Sequence, residues 1–280
     1  LLLLNPMIVG QYKQHNGFFM KKNDPPPKKE FPAGMAPLAN SSFNFACHAG
    51  VACFTNCCRK LELYLYPYDI IRLKTRLGIS SEDFLNRYAG PVKGANPCFP
   101  ALRLTMNADE ARSCPFLAER GCSVYEDRPS ACRTYPLERA VDRSGGGRRP
   151  REFYFMTDHA YCRGHQEEKE WTVKEWVRDQ RLQYYNQMDD LWAEMDTLFA
   201  NSRIWRGEGA AGPRQLLAFM VCYNIDRFRQ YVVEHRLLDQ FRLDKARRKL
   251  IATDDEALLR FGFDWLKFAL AEQPSLRPKR

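Results

Sequence analysis

Apolar and polar positions divide the chain into a short-element half and a long-helix half. LELYLY (61–66) alternates as a half-buried strand does and runs into PYDIIRLKTRLG, where Ile70, Ile71, Leu73 and Leu77 recur on one helical face. Pro67 suits a first helical turn and Gly78 a left-handed stop, so a helix is predicted over 67–78. SSEDFLNRYAG predicts a second helix, capped by Ser80 or Ser81, with acids in its first turn and Gly90 at its end. ALRLTM puts Leu102, Leu104 and Met106 on one face of a strand, and CPFLAERGCSVY reads as a hairpin turning at Glu119–Gly121. Pro129 then opens a short helix capped by Asp127, and EFYFM forms another strand after a loop over 143–150.

From Glu167 the period lengthens. One helix is predicted to about Phe199, with Thr172 and Glu175 as a capping box and a stripe of Trp176, Met188, Leu191, Trp192, Met195 and Leu198. Gly212–Pro213 opens a helix through about Arg236, and Thr253 with Glu256 starts one that ends near Gln273–Pro274. The first 42 residues contain KKNDPPPKKEFPAGMAP, whose prolines cannot sustain helix or ladder bonds, and predict an extended arm. The fold class is α+β. Residues 43–165 are expected to form a small cysteine-rich metal-binding domain and 166–280 a mostly helical region with a short basic tail.

At 280 residues with 45% hydrophobic content, the chain can bury a core without covalent staples, so its ten cysteines have another use. The formal charge of +9 is spread along the chain, densest in GGGRRPR and RPKR, and no nucleic-acid recognition motif accompanies it. Nucleic acid is therefore not an expected partner. No apolar run approaches the ~20 residues of a membrane span. LLLL at the start is broken by Asn5 and Pro6, with no basic residue before it, so no secretory signal is expected. A cytoplasmic setting keeps thiols reduced, and clustered cysteines there are ligands more often than disulfides.

Eight cysteines group. Cys47, Cys53, Cys57 and Cys58 lie in CHAGVACFTNCC; Cys114, Cys122 and Cys132 lie in CPFLAERGCSVYEDRPSACR; Cys162 follows in YCRGH. Thiolates are soft ligands, and zinc or an iron–sulfur cluster needs about four converging on one point. Only Cys53 and Cys57 have knuckle-like zinc spacing, whereas a cluster accepts ligands from several loops. The second group has three thiols, so a four-thiolate site there must borrow Cys162, Cys57 or Cys58. His48, His159 and His165 flank the cysteines as hydrogen-bonding neighbours, and Arg59, Arg128 and Arg133 could offset an anionic cluster. Cys222, in LLAFMVCYNI, belongs to an apolar helix face, and Cys98 to a loop. No phosphate-binding glycine loop, G-x-S-x-G or H-E-x-x-H occurs.

FACHAGVACFTNCC, the strand with PYDIIRLKTRLG, then CPFL–GCSVYEDRPSACRTYPL and the late YC-x-GH together resemble the YkgJ-type cysteine-cluster family over roughly 43–180. That family is named for its CxxCxxCC pattern, and the resemblance implies zinc or iron chelation. The first group here has wider gaps but keeps the terminal Cys57–Cys58 pair. The resemblance extends to flagellin lysine N-methylases, which it associates with a 4Fe–4S cluster and S-adenosylmethionine. The expectation is an iron–sulfur protein, with one or two 4Fe–4S clusters on the eight cysteines, a redox or protein-modifying role, and a protein substrate or redox partner. A zinc-stabilised interaction module and an S-adenosylmethionine-dependent lysine N-methyltransferase are the alternatives.

Overall fold

A computed structural model describes residues 31, 36–143 and 150–279, so most of the expected arm and of the 143–150 loop lie outside the described residues. Strand β1 (Ser42–Asn44) leads into the first cysteine loop, and β2 (Tyr64–Leu65) follows it. Helix α1 (Pro67–Leu77) starts with proline in its first turn and stops where Gly78 turns left-handed at φ 65°. The Ser80 hydroxyl caps α2 (Ser81–Tyr88) by accepting from the Asp83 N–H at 3.0 Å. Gly90 does not end that helix: Ala89 already turns extended and opens β3 (Ala89–Val92). With β4 (Ala101–Leu104), these strands make an antiparallel sheet ordered β2-β4-β3, burying Leu102 and Leu104.

The hairpin forms as predicted, from β5 (Leu117–Ala118) and β6 (Gly121–Cys122), with Gly121 at φ 117°. The next helix, α3 (Ser130–Thr134), carries Cys132, but Pro129 is its N-cap and Asp127 does not cap it. Asp127 pairs with Arg72, and the Ser130 N–H instead donates to Asp69 at 2.8 Å. Strands β7 (Leu137–Asp142) and β8 (Arg151–Met156) form a separate antiparallel ribbon.

The long helix expected from Glu167 is three elements. Strand β9 (Glu170–Thr172) pairs with β1, the predicted capping box starts α4 (Val173–Asp179), and α5 (Leu182–Phe199) follows a break at Arg181, which adopts φ 51°. The helix expected from Pro213 likewise divides into α6 (Pro213–Tyr223) and α7 (Ile225–Glu234), because Asn224 leaves helical geometry and caps α7 with its side chain. Helix α8 (Lys245–Thr253) had no counterpart in the pattern. Asp254, not Thr253, caps α9 (Asp255–Ala271).

One apolar cluster joins Leu65, Leu73, Phe84, Leu102 and Val124 to Met195, Phe199, Phe228, Phe261 and Leu270. Each such side chain contributes about 1.5–3 kcal/mol by leaving water. A smaller cluster of Phe43, Phe45, Leu137, Tyr154, Trp176 and Leu182 clamps β1 and the β7–β8 ribbon onto α4. Among the described residues no helix is long and apolar enough to cross a membrane.

Candidate metal centre

The first cysteine loop is held at its start by the turn that carries Cys162. Phe45 N–H donates to the Lys169 carbonyl (2.9 Å) and Ala46 N–H to that of Gly164 (3.0 Å), while Arg163 N–H donates to the Cys53 sulfur at 3.0 Å. Glycine is required at 164 for this approach. A Cβ there would sit 2.6 Å from the Ala46 oxygen and 2.7 Å from the Phe45 ring. The result groups Cys47, Cys53 and Cys162. Burial, then Cys57, Cys53 and Cys162, push the Cys47 thiol up to about 11. Burial also raises Cys162, against a hydrogen bond with the Tyr135 hydroxyl that favours its thiolate.

The end of the same loop is zipped to the second group. Arg59 bridges Ser113, flanked by bonds from Lys60 N–H to the Arg112 carbonyl (3.0 Å) and from Cys114 N–H to the Cys58 carbonyl (2.8 Å). Cys122 lies opposite Leu117 in the hairpin, whose open end therefore holds Cys114 and Cys122 together. Cys132 arrives on α3, fixed by Asp69: one carboxylate oxygen accepts from Tyr66 N–H at 2.9 Å and the other from Ser130 N–H at 2.8 Å. Burial pushes the Cys132 thiol well above its ordinary value, followed by Cys114, Cys57 and Cys122. Burial likewise leads at Cys114, raised to about 11, and at Cys122.

Cys57 joins the two sets. It contributes to the raised values of Cys47, Cys114, Cys122 and Cys132, and its own is raised first by the hydrogen bond with Cys58. The short 3₁₀ turn over 56–58 does not splay this adjacent pair; their sulfurs are 4.0 Å apart. Among the described residues, no three His, Cys, Asp or Glu side chains converge at single-ion spacing. Cys222 is 2% exposed on α6, and the Cys98 thiol donates to the Ala200 carbonyl at 3.8 Å; neither perturbs the grouped thiols.

Two guanidinium groups are buried beside the thiols. Arg128 is 8% exposed and does not pair with Glu126; it bonds the Tyr125 carbonyl (2.6 Å) and the Gln180 side chain, with its Cζ 3.8 Å from the Tyr125 ring centre. Arg133, 3% exposed, bonds the carbonyls of Gln180 (2.8 Å) and Glu126, and its Nε has no partner. Among the described residues neither has a carboxylate at ion-pair distance; Cys132 and Cys122 favour the charge on Arg128 against its desolvation, while Arg133 helps lower the pKa of the Asp69 carboxyl. The break between α4 and α5 gives Gln180 its place here, which a continuous helix would not.

The histidines stand outside the thiol groups. His48 faces Glu167 at 3.2 Å, His165 faces the Tyr135 hydroxyl at 3.2 Å, and His159 stacks on Tyr135 and Tyr161. Arg59 curls back onto Thr55. Asp69, Tyr135 and Gly164 lie inside the motifs that carry the family resemblance, but their supporting roles, like that of Gln180, act through backbone approach and hydrogen bonds that spacing does not encode.

Residues 46–171 match the family model CxxCxxCC, whose description reads "Putative zinc- or iron-chelating domain". The match covers all eight grouped cysteines and ends before α4, so it includes neither Cys222 nor the helices from α4 onward. No curated protein, flagellin lysine N-methylases included, and no solved structure matches the chain.

Proposed function

Taking residues 46–171 as a CxxCxxCC domain of the zinc- or iron-chelating kind, we propose that its eight cysteines hold an iron–sulfur centre of the 4Fe–4S type. Cys114, Cys122, Cys132 and Cys57 would form one ligand set, and Cys47, Cys53, Cys162 and Cys58 the other. The carrying observation is a buried cation among thiols: the Arg128 guanidinium is 8% exposed, has no carboxylate at ion-pair distance among the described residues, and is favoured in its charged form by Cys132 and Cys122. An uncompensated buried charge costs several kcal/mol. Four thiolates around a dication, or around a cluster core of charge +2, leave a net −2, which Arg128 offsets in part. The donor set thus fits the group.

The ligands come from separate loops at irregular spacing, which a cluster accepts more readily than zinc's paired knuckles do, and Cys57 joins the two sets. Cys57 interacts with Cys47, Cys58, Cys114, Cys122 and Cys132. Bound there, a cluster would supply one-electron transfer; the protein's part is to bury it, orient its thiolates and, through Arg128, raise its reduction potential. The role that follows is redox chemistry or cluster-supported modification of a protein partner.

One observation favours zinc. Thiolates at about 2.3 Å from a tetrahedral ion are about 3.8 Å apart, close to the 4.0 Å between the Cys57 and Cys58 sulfurs. Anaerobic purification with iron, zinc and acid-labile sulfide analysis separates the two. Iron and sulfide in equal amounts, with visible absorption that fades on reduction, is the expected result. Stoichiometric zinc without sulfide would overturn the iron–sulfur reading and leave the zinc one.

A further inference from the structure

A cleft of about 290 Å³ opens between the β2–β4 sheet and helices α5 and α6, away from the grouped thiols in its lining. That is close to the lower end of ordinary small-ligand sites. Its walls are aromatic: Tyr64, Tyr66, Phe99, Trp192 and Tyr223 all line it. The rings brace one another, Trp192 meeting Tyr223 edge-on at 5.6 Å and Phe99 stacking on Tyr223 at 6.2 Å between centres. They are therefore preformed surfaces rather than side chains free to collapse inward.

Asp196 is the charged residue of this lining. One of its oxygens accepts from the Asn96 side chain at 2.9 Å, which lowers its pKa, while burial raises it more. Among the described residues no Lys, Arg or His reaches it, and no donor besides Asn96 serves it. It stands one turn from the C-terminus of α5, the end where the helix dipole adds negative potential. A half-buried carboxylate without a counter-charge, inside aromatic walls, is electrically incomplete.

The chemistry selects the ligand. Aromatic faces and a carboxylate both attract cations. A neutral apolar ligand would strip water from Asp196 and give nothing back, and an anion would be repelled. A primary ammonium is compact, strongly hydrated and brings three donors to satisfy, whereas the lining offers Asp196 as its one charged acceptor between aromatic walls. A quaternary ammonium is bulky, weakly hydrated and needs no acceptor beyond one counter-charge. We infer that this cleft binds a small quaternary ammonium cation, neutralised by Asp196 and enclosed by Tyr66, Trp192 and Tyr223.

Calorimetric titration of the full chain with choline, and with dimethylbutanol as its uncharged carbon isostere, tests this. Choline should bind at least about tenfold more tightly than the isostere. Asp196→Asn, which keeps side-chain shape and the bond with Asn96, should erase that preference with its thermal transition unchanged. Equal binding of the two probes to the wild type, no binding of choline, or a preference that survives in Asp196→Asn would each overturn the inference. The wild-type comparison stands if the variant fails to fold, and neither result bears on the metal centre.

Discussion

At the residue scale, the cysteines differ in what they hold together. Cys57 interacts with members of both thiol sets, whereas Cys132 belongs to one and Cys222 to none. Cys57→Ser should therefore remove most of the bound metal and Cys132→Ser a large part of it. Cys222→Ser should retain metal but lower stability by about 1–3 kcal/mol, since it buries a hydroxyl among apolar neighbours on α6. Metal analysis beside thermal unfolding of the three variants checks both halves. Equal metal content in all three would remove the ligand assignment. The cysteines were legible because thiol chemistry is carried by residue type and clustering alone. Arg128 was visible only as a neighbour in sequence; its burial beside Cys122 and Cys132 without a paired carboxylate, which gives it meaning, depends on the fold.

At the scale of elements, short segments are placed by a few obligatory contacts. Gly164→Ala would drive a methyl into the Ala46 carbonyl and the Phe45 ring, and the backbone cannot yield without withdrawing Cys162 from Cys47 and Cys53. We expect a loss of about 1–3 kcal/mol and weaker metal retention against a chelator. Undiminished retention would mean that Cys162 is no ligand. Asp69 joins α1 to α3, and burial, partly opposed by the Tyr66 and Ser130 amides, pushes its carboxyl up to about 6. A raised carboxyl pKa means the native state holds the proton more tightly than the unfolded chain, whose value is about 3.9. This contribution is full below about pH 4 and is lost as pH rises to about 6, by roughly 2–3 kcal/mol. Asp69→Asn should flatten that stretch of the stability–pH curve relative to wild type; an unchanged curve would show that Asp69 does not titrate there. The pattern of apolar positions disclosed α1, α2, β4, the hairpin and the capping box at Thr172 because each is specified locally. It did not disclose the breaks at Arg181 and Asn224, where no glycine or proline interrupts the helical period and tertiary bonds decide.

For the whole molecule, the question is how far metal binding reaches into the fold. The grouped cysteines sit on loops and on elements of two to five residues, too short to hold their shape alone, so metal-binding free energy is folding free energy for them. The elements around them have independent support. Leu102 and Leu104 of β4 are buried in the large apolar cluster with α5 and α9. Lys74 pins α1 to the helical region, bonding Asp226 at 2.9 Å and Asp255 at 2.8 Å. Burial alone would lower the Lys74 pKa, yet the two carboxylates raise it, so the pairing outweighs the desolvation. Metal removal should therefore loosen residues 45–60, 112–124 and 157–169, where hydrogen exchange would quicken, and leave α1, β4, α5 and α9 protected. Comparison of holo and anaerobic apo protein reads this directly. Protection unchanged in all three loops would make the metal a passenger on a fold held by its apolar core. Loss of protection through α5 and α9 would instead make the metal part of that core, and the apolar cluster too weak to stand without it.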